Sequence, residues 1–244
     1  MKITLITPTY NSSFTISDTL HSVNVQSYQN IEHIIVDGLS TDKTLEIVKN
    51  DCPECRTVIS EKDKGLYDAM NKGIQMATGD IIGILNSDDF FTSPDVLEKV
   101  ANAFEEDETL DAVYGDIHFV RPDNLEKCVR YYSSRIFSCR LMRLGFMPAH
   151  PSFYMKRTCY QKFGLYKTDY RIGADFELLL RYIFVHHIRV RYLRMDFVTM
   201  RTGGASTSGI SSCVQIMKEH LRAFHENHIY TNRFILSLRY IYKV

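Results

Sequence analysis

The 244-residue sequence lacks several features that would assign it at once to a class of protein. It has no tryptophan, no internal repeat and no low-complexity tract. It also lacks a run of about 18 apolar residues, the length that a membrane-spanning helix requires. The opening segment, MKITLITPTYN, is apolar only over a short stretch, which predicts a buried strand and no signal peptide. These absences favour a cytoplasmic globular protein.

The cysteines do not indicate a metal site or a disulfide framework. Cys52 and Cys55 form a CxxC pair, but no second CxxC accompanies it, and the other four cysteines are scattered. A structural zinc site needs four ligands at a characteristic spacing, and a cytosolic protein usually keeps its thiols reduced. The role of this pair stays open.

Charge is balanced over the whole chain but not within it. Residues 1–120 carry 8 Lys or Arg against 21 Asp or Glu, and residues 121–244 carry 21 against 8. An acidic half can supply carboxylates to a metal, and a basic half can face phosphates or an anionic membrane. The two halves can equally neutralise each other after folding. No nucleic-acid-binding motif is recognisable, so we expect no such partner.

Short β-branched runs alternate with amphipathic segments over the first 90 residues. This alternation predicts a parallel sheet with right-handed helical crossovers, and ligands bind such sheets beyond the carboxyl ends of the strands. The predicted strands are 3–7, 31–36, 57–60 and 81–85, and the predicted helices are 13–26, 41–50 and 66–77.

Polar or acidic residues follow each of the four predicted strands. Because the carboxyl ends of parallel strands meet at one edge of a sheet, we expect these loops to converge. That convergence predicts a binding site. The loops are residues 9–11, 37–38, 61–65 and 86–89.

After residue 94 the pattern becomes irregular. We expect one domain over residues 1–210, divided near residue 90, and a helical extension over residues 211–244. The predicted helices are 94–104, 156–163, 174–185, 213–228 and 233–242, and the predicted strands are 112–120, 127–132, 152–155, 188–193 and 197–200.

Asp88 and Asp89 directly follow the fourth predicted strand. Paired carboxylates at a strand terminus are hard oxygen ligands suited to Mg²⁺ or Mn²⁺. The alternative is that they stabilise the start of the next helix, where acidic side chains are favoured. The three other polar loops beside them favour the metal site.

Six segments occur in a characteristic order: TPTYN at 7–11, VDGLSTDKT at 36–44, SEKDKGLYDAMNKGI at 60–74, ATGDIIGILNSDD at 77–89, HPSFY at 150–154 and GADFELLLR at 173–181. Together they resemble the family-2 glycosyltransferases of the GT-A fold, especially bacterial enzymes that build O-antigen, capsule and other surface polysaccharides. The resemblance covers nearly the whole chain. It implies an α/β fold whose Rossmann-like, mostly parallel central sheet is flanked by helices, with residues 1–90 binding nucleotide, residues 91–210 binding acceptor, and a C-terminal helical extension.

The resemblance also implies roles for single residues. Asp175 matches the catalytic base at the start of a helix, although the residue pattern alone also fits a helix N-terminal acid. Ala174 departs from many relatives, which have Glu at this position, and Glu177 is expected to point away from Asp175. Thr7, Pro8, Thr9, Tyr10, Asp37, Asp63 and Asp88 match nucleotide-binding positions, and Asp88 and Asp89 match the pair that binds Mn²⁺ or Mg²⁺, with Asp89 as the direct ligand.

The resemblance implies a single, inverting displacement without a covalent intermediate. Cleavage between the anomeric carbon and a diphosphate develops negative charge on the leaving oxygen, which a metal ion neutralises. A carboxylate takes the proton of the attacking acceptor hydroxyl. An α-linked donor then gives a β-linked product.

A further set of residues is expected near the acceptor or the diphosphate. His150 falls where relatives approach the acceptor, although a lone histidine is more often structural. The segment 202–212 is either a plain connector or a loop that folds over the diphosphate, with Arg201 assisting the leaving group. The set comprises His150, Arg201, Gly203, Gly204 and Ser206.

The C-terminal helices mix apolar residues with Lys218, Arg222, Arg233, Arg239 and Lys243. Such helices can lie on an anionic bilayer, or pack on the domain with a solvated basic face. The resemblance implies a polyprenyl-diphosphate-linked sugar as acceptor, used by a peripheral protein at the inner face of the cytoplasmic membrane. It implies UDP-glucose, UDP-galactose or UDP-N-acetylglucosamine as donor.

Two rival functions share the sheet and the acidic residues. A sugar nucleotidyltransferase usually opens with a Gly-rich, basic triphosphate loop, which TPTYNSSFT lacks. A non-catalytic nucleotide- or glycan-binding scaffold of a polysaccharide assembly complex would not need the full set of Asp37, Asp88, Asp89 and Asp175. The prediction is therefore a hexosyltransferase.

Overall fold

A computed structural model describes residues 1–51, 56–204 and 210–242. Its N-terminal part alternates parallel strands with helices, as the hydrophobic pattern predicts. The strands are β1 (Ile3–Thr9), β2 (Ile31–Asp37), β3 (Arg56–Ser60) and β4 (Ile81–Ile84), and they lie in the order β3-β2-β1-β4. The connecting helices are α1 (Ile16–Asn24), α2 (Thr44–Asp51) and α3 (Leu66–Met76).

The strand register brings the loops of the predicted site to one edge. Thr9 pairs with Asp37, and Asp37 pairs with Ser60, so the ends of β1, β2 and β3 are level. Since β1 lies between β2 and β4, the strand order reverses at β1 and opens a crevice beyond the strand ends. The first and fourth loops therefore lie beside each other.

The remaining strands convert the parallel sheet into a mixed one. The short β5 (Phe90–Phe91) and the helix α4 (Val96–Glu106) lead to β6 (Ala112–Arg121) and β7 (Asn124–Tyr132). After β8 (Phe153–Lys156), the helices α5 (Arg157–Phe163) and α6 (Ala174–Leu179) precede β9 (Val190–Arg201). β8 is antiparallel to β4 and β6, β7 is antiparallel to β6, β9 is parallel to β6, and β5 is antiparallel to β9.

Three local features differ from the sequence-based expectations. The predicted strands 188–193 and 197–200 form the single strand β9, whose pairing with β6 shifts register near Asp116. The predicted helix 174–185 is α6 followed by a π-helical segment, Leu180–Val185. β5 was not predicted, because two consecutive phenylalanines carry no periodicity that could indicate a strand.

The core covers both faces of the sheet. On β1, Leu5 packs in the cluster that includes α4, and its neighbour Ile6 packs in the cluster that includes α3 and α6, because successive strand residues point to opposite faces. The C-terminal helices are α7 (Ile210–Glu226) and α8 (Arg233–Tyr242). They join the cluster that includes α3 and α6 through Phe224 and Leu236, which are fully buried. No helix in the described residues is long and apolar enough to cross a membrane.

Candidate active site

A cavity of about 720 Å³ lies at the carboxyl edge of β1 and β4. It gathers residues from three of the four predicted loops, 9–11, 61–65 and 86–89, which confirms that these three converge. The loop at 37–38 does not line the cavity. The cavity also receives side chains from the segments that precede β8 and α6 and from the end of β9. Ten residues expected to form the site line it: Pro8, Thr9, Tyr10, Asp63, Asp88, Asp89, His150, Asp175, Arg201 and Gly204.

Three other expected residues, Thr7, Asp37 and Gly203, do not line this cavity. Thr7 is fully buried inside the sheet, where its hydroxyl lies 2.9 Å from Nε2 of His33. Gly203 begins the loop after β9 with a φ of 110°, a backbone conformation that suits glycine. Ser206 lies outside the described residues, as do Cys52 and Cys55.

Asp37, the third of these, organises a loop at the end of β2. It is fully buried and accepts hydrogen bonds from the backbone N–H of Ser40 at 3.0 Å and from the hydroxyl of Ser60 at 2.7 Å. The hydroxyl of Ser40 donates to its other oxygen. The Asp37 carboxylate thus fixes the turn of residues 37–40, which contains Gly38.

Gly38 allows two cavity-lining side chains to approach the backbone. A Cβ atom there would lie 2.5 Å from Oδ2 of Asp63 and 3.4 Å from Cδ2 of Tyr10. The other oxygen of Asp63 accepts a hydrogen bond from the N–H of Gly65 at 2.9 Å. Tyr10 is 62% exposed, so its ring is available at the mouth of the cavity.

The acidic pair lies deeper in the cavity. Asp89 is 1% exposed; its Oδ2 accepts a hydrogen bond from Nδ2 of Asn86 at 3.0 Å, whereas its Oδ1 has no partner. Oδ1 of Asn86 is also buried without a partner. Burial raises the pKa of both Asp88 and Asp89, and the charge of Asp88 raises the pKa of Asp89 further. α4 begins only at Val96, so the helix-capping interpretation of the pair is wrong.

The two acids and Asn86 fit a divalent cation. Among the described residues no group of three or more His, Cys, Asp or Glu side chains is close enough to form a complete protein cage. Mg²⁺ and similar ions are often held by one or two carboxylates together with substrate phosphates and water. The unpartnered oxygens of Asn86 and Asp89 are acceptors of that kind, and a cation would also offset the carboxylate repulsion.

Arg201 stabilises the loop that carries the acidic pair. It is 8% exposed and lies at the end of β9. Its guanidinium donates to the backbone carbonyl of Asp88 and to the carboxylate of Asp18, and it lies over the ring of Phe90 at 5.2 Å. The contribution of Asp18 could not be predicted from the sequence, because no local pattern links α1 to the end of β9.

Asp175 enters the cavity from the first turn of α6. Its Oδ1 accepts a hydrogen bond from the N–H of Phe176 at 2.7 Å. Burial raises the pKa of Asp175 to about 6. A carboxylate with such a pKa is ionised at neutral pH but holds a proton more firmly than a free aspartate, as suits a general base.

Glu177 has a different environment. It is fully buried and forms ion pairs with Arg181 at 3.0 Å and with Lys167 at 3.0 Å. Nδ2 of Asn227 donates a further hydrogen bond to it at 3.2 Å. These contacts occupy both carboxylate oxygens in the packing between α6 and α7.

His150 lines the cavity as a neutral imidazole. Its Nε2 lies 2.6 Å from the hydroxyl of Tyr166. Burial lowers the pKa of His150 to about 4, so the ring carries no charge at neutral pH. It can therefore orient a hydroxyl group by hydrogen bonding but does not supply a cation to a phosphate.

Comparisons with known proteins agree with this architecture. Residues 4–170 match the family profile Glycosyl transferase family 2. A PGL/p-HBAD biosynthesis glycosyltransferase of Mycobacterium bovis is 30% identical over 221 residues, which cover 89% of this chain and 82% of that protein. An uncharacterized glycosyltransferase of Mycobacterium tuberculosis is 32% identical over 205 residues, 82% of this chain and 76% of that protein.

Two solved structures share the fold. S. aureus TarS 1-349 in complex with UDP-GlcNAc has a TM-score of 0.71 at 17% identity, over 97% of this chain and 71% of that one. The mannosyltransferase PcManGT from Pyrobaculum calidifontis, in complex with GDP-Man and Mn²⁺, has a TM-score of 0.69 at 20% identity, over 95% of this chain and 65% of that one. The expected GT-A architecture is thereby confirmed. The chain belongs to glycosyl transferase family 2, and it is a glycosyltransferase.

Proposed function

We propose that this enzyme transfers a hexose or an N-acetylhexosamine from a UDP-sugar to a lipid-linked glycan, with inversion at the anomeric carbon, in surface polysaccharide synthesis. The observation that carries the proposal is that the acidic pair Asp88–Asp89 and the buried Asp175 line one cavity. A metal-binding group and a carboxylate of raised pKa are the two elements that a direct displacement at a sugar diphosphate needs.

The nucleotide occupies the part of the cavity formed by the loops after β1 and β3. Tyr10 offers an exposed ring to the base, and Asp63 and Asp88 offer carboxylate oxygens to the base or the ribose. Asp37 supports this subsite by fixing the turn of residues 37–40, which contains Gly38. A structural neighbour in complex with UDP-GlcNAc supports a nucleotide sugar as the donor.

Asp88 and Asp89 hold Mn²⁺ or Mg²⁺ together with the donor diphosphate. The ion supplies Lewis-acid stabilisation of the charge that develops on the leaving oxygen. A neighbour in complex with GDP-Man and Mn²⁺ supports a divalent ion in this fold. Arg201 holds the loop that presents the two carboxylates, and Gly204, which lines the cavity, borders the diphosphate.

Asp175 accepts the proton of the acceptor hydroxyl. As the hydroxyl oxygen bonds to the anomeric carbon, the bond from that carbon to the diphosphate breaks and its electron pair leaves with the diphosphate. The hydroxyl proton passes to Asp175. His150, neutral and bonded to Tyr166, orients the acceptor.

Exposed residues near the C-terminus support attachment to a membrane surface that carries the lipid-linked acceptor. Tyr230 is 78% exposed, Phe234 is 73% exposed, and Arg233 between them is also exposed. Aromatic and basic side chains together suit the interface of an anionic bilayer. Arg222, in contrast, is occupied by ion pairs with Asp169 and Glu226.

The test is transfer by purified protein supplied with Mn²⁺, a panel of UDP-, GDP- and TDP-sugars and a synthetic N-acetylhexosamine-diphosphate-lipid. We expect one mass increment, from a UDP-sugar, and a β-linkage in the NMR spectrum of the product from an α-linked donor. Asp175→Asn should abolish transfer but retain UDP binding. An α-linked product would contradict inversion. UDP binding without transfer to any acceptor would favour the alternative of a non-catalytic nucleotide-binding scaffold.

A further inference from the structure

The segment that precedes Asp175 is held by a carboxylate from α7. The backbone N–H groups of Arg171, Ile172 and Gly173 donate to Glu219 at 2.8, 2.9 and 2.6 Å. Glu219 lies beyond residues 4–170, the part of the chain that matches the family profile. Three charge-assisted hydrogen bonds to consecutive amides restrain a backbone segment more strongly than neutral bonds would.

Glu219 is itself fixed in place. It is 5% exposed, and Nε2 of Gln215 donates to its Oε1 at 2.7 Å. The next residue of α7, His220, stacks on Phe176 of α6 with ring centroids 3.7 Å apart. A Cβ atom on Gly173 would lie 3.1 Å from Oε2 of Glu219, so the absence of a side chain there permits the close approach of α7.

The same segment is also restrained from the other side of the cavity. The hydroxyl of Tyr67, on α3, donates to the backbone carbonyl of Ile172. Since α6 begins at Ala174, the two restraints end one residue before the turn that carries Asp175. The position of the Asp175 carboxylate therefore depends on Glu219 and Tyr67 through a backbone segment of three residues.

We propose that Glu219 is a positioning residue, which fixes the segment 171–173 and thereby aims the Asp175 carboxylate at the acceptor hydroxyl. The inference rests on the proposed function, because it requires Asp175 to be the base. Glu219 touches no substrate in this scheme. It acts through the backbone, and its negative charge also raises the pKa of Asp175.

Several groups face Asp175 and contribute to its titration. Glu219 raises its pKa, and the N–H groups of Asp175 and Phe176 lower it. Replacement of Glu219 by an uncharged residue should therefore shift the acid limb of the kcat profile to lower pH. The titratable side chains that line the cavity with Asp175 are Tyr10, Asp63, Tyr67, Asp88, Asp89, His150, Arg171 and Arg201. Tyr166 and Glu219 interact electrostatically with Asp175, and His220 of α7 stacks on Phe176 of α6.

The experiment compares Glu219→Gln with Glu226→Gln in the full-length protein. Glu226 is a matched control, because it lies on the same helix and binds Lys167, Tyr170 and Arg222 but does not touch residues 171–173. For Glu219→Gln we expect kcat to fall about tenfold to a hundredfold with little change in UDP affinity, because misplacement of a reacting group by about 1 Å has effects of this size. Glu226→Gln should lower the melting temperature but leave kcat and its pH profile unchanged.

Asp175→Asn separates the two proposals. If Asp175→Asn is inactive but Glu219→Gln has an unchanged kcat, the positioning role of Glu219 is overturned and Asp175 remains the base. An active Asp175→Asn would overturn the base, and the inference with it. If Glu219→Gln does not fold, the inference is tested with Gln215→Met. This change removes only the hydrogen bond from Gln215 that orients Glu219. It should lower kcat by a smaller factor, and an unchanged kcat would overturn the inference.

Discussion

The guanidinium of Arg201 forms an ion pair with the carboxylate of Asp18, which precedes it by 183 residues. The contact joins α1 to the end of β9 across the loop that carries the acidic pair. Because the same guanidinium donates to the carbonyl of Asp88, Arg201 couples the sheet to the proposed metal site.

Replacing Arg201 with Ala should impair both stability and donor binding. We expect a loss of about 1.5–3 kcal/mol in the free energy of unfolding, the range for hydrogen bonds to charged groups. The affinity for UDP in the presence of Mn²⁺, measured by calorimetry, should fall as well, because the loop that carries Asp88 loses the hydrogen bond from Arg201. Asp18→Asn should have a smaller effect, since the Asp18 side chain is 50% exposed.

Arg222→Ala is the matched control for this prediction. Arg222 also binds carboxylates, those of Asp169 and Glu226, and a backbone carbonyl, that of Asp169. It lies over a ring as well, that of Tyr170 at 4.3 Å. It lies outside the cavity, so its removal should change stability only. Equal loss of UDP affinity in both variants would refute a specific role for Arg201.

The pH dependence of transfer should report the ionisation of Asp175. Since its pKa is about 6, kcat should fall as the pH falls through 6, because the protonated carboxyl no longer accepts a proton. The check is the kcat profile between about pH 4.5 and about pH 8 at saturating donor and acceptor. A flat profile below 6 would argue against Asp175 as the base.

The same pKa has a consequence for stability. In an unfolded chain the pKa of an aspartate is about 3.9. The folded protein therefore binds the proton of Asp175 more tightly than the unfolded chain does. The protonated form therefore favours folding at low pH, and this contribution is lost as the pH rises through about 6. Asp175→Asn should stabilise the protein at pH 7, by on the order of 2 kcal/mol, and have less effect at pH 4.5. Chemical denaturation at both pH values measures the difference.

Asp89→Asn should abolish Mn²⁺-dependent UDP binding and yet raise the melting temperature. The change removes the charge of a buried carboxylate, one oxygen of which, Oδ1 of Asp89, has no partner. The amide that replaces it can donate a hydrogen bond to Oδ1 of Asn86, which also has no partner. Loss of stability with intact Mn²⁺-dependent binding would show that Asp89 is a structural residue.

Asp116→Asn provides the contrast for Asp89. Asp116 is a buried acid outside the cavity whose oxygens accept hydrogen bonds from Tyr131 at 2.9 Å, Tyr192 at 2.8 Å and the N–H of Ser134 at 2.6 Å. An amide in its place leaves one donor unpaired, so we expect a loss of about 1–3 kcal/mol. UDP binding should be unaffected.

Gly38→Ala should raise the donor KM with little change in kcat. The added Cβ would displace Asp63 and crowd Tyr10, both of which line the nucleotide end of the cavity. If displacement of Asp63 is the cause, Asp63→Ala should have a similar effect, and the double variant should be no worse than either. Additive effects in steady-state kinetics would contradict this explanation.

The elements that could be predicted from the sequence are those whose apolar residues recur with the local period of a strand or a helix. The four parallel strands and three helices of the N-terminal half follow from β-branched runs and amphipathic segments, and the loops at their ends locate Asp63, Asp88 and Asp89. β9 was predicted as two strands because its polar residues, Arg194 and Asp196, interrupt the apolar pattern, whereas pairing with β6 holds it together.

The contacts that could not be predicted are those between distant elements. Asp18 and Glu219 each look like an ordinary surface residue in their local sequence, so their contacts with Arg201 and Gly173 could not be predicted. Their roles depend on crossing segments whose relative placement is set by the whole sheet. Similarly, the role of Asp37 in supporting its loop depends on Ser60, which a separate strand brings alongside it.

The placement of β8 between β4 and β6 has a consequence for synthesis on the ribosome. β4, whose sequence is Ile-Ile-Gly-Ile, pairs with β1 on one side, but its other edge stays unpaired until residues 153–156 emerge. An open apolar strand edge readily pairs with other chains. Truncations between β4 and β8 should therefore yield aggregating fragments, not a small nucleotide-binding protein, and nascent chains should need protection from aggregation over this interval.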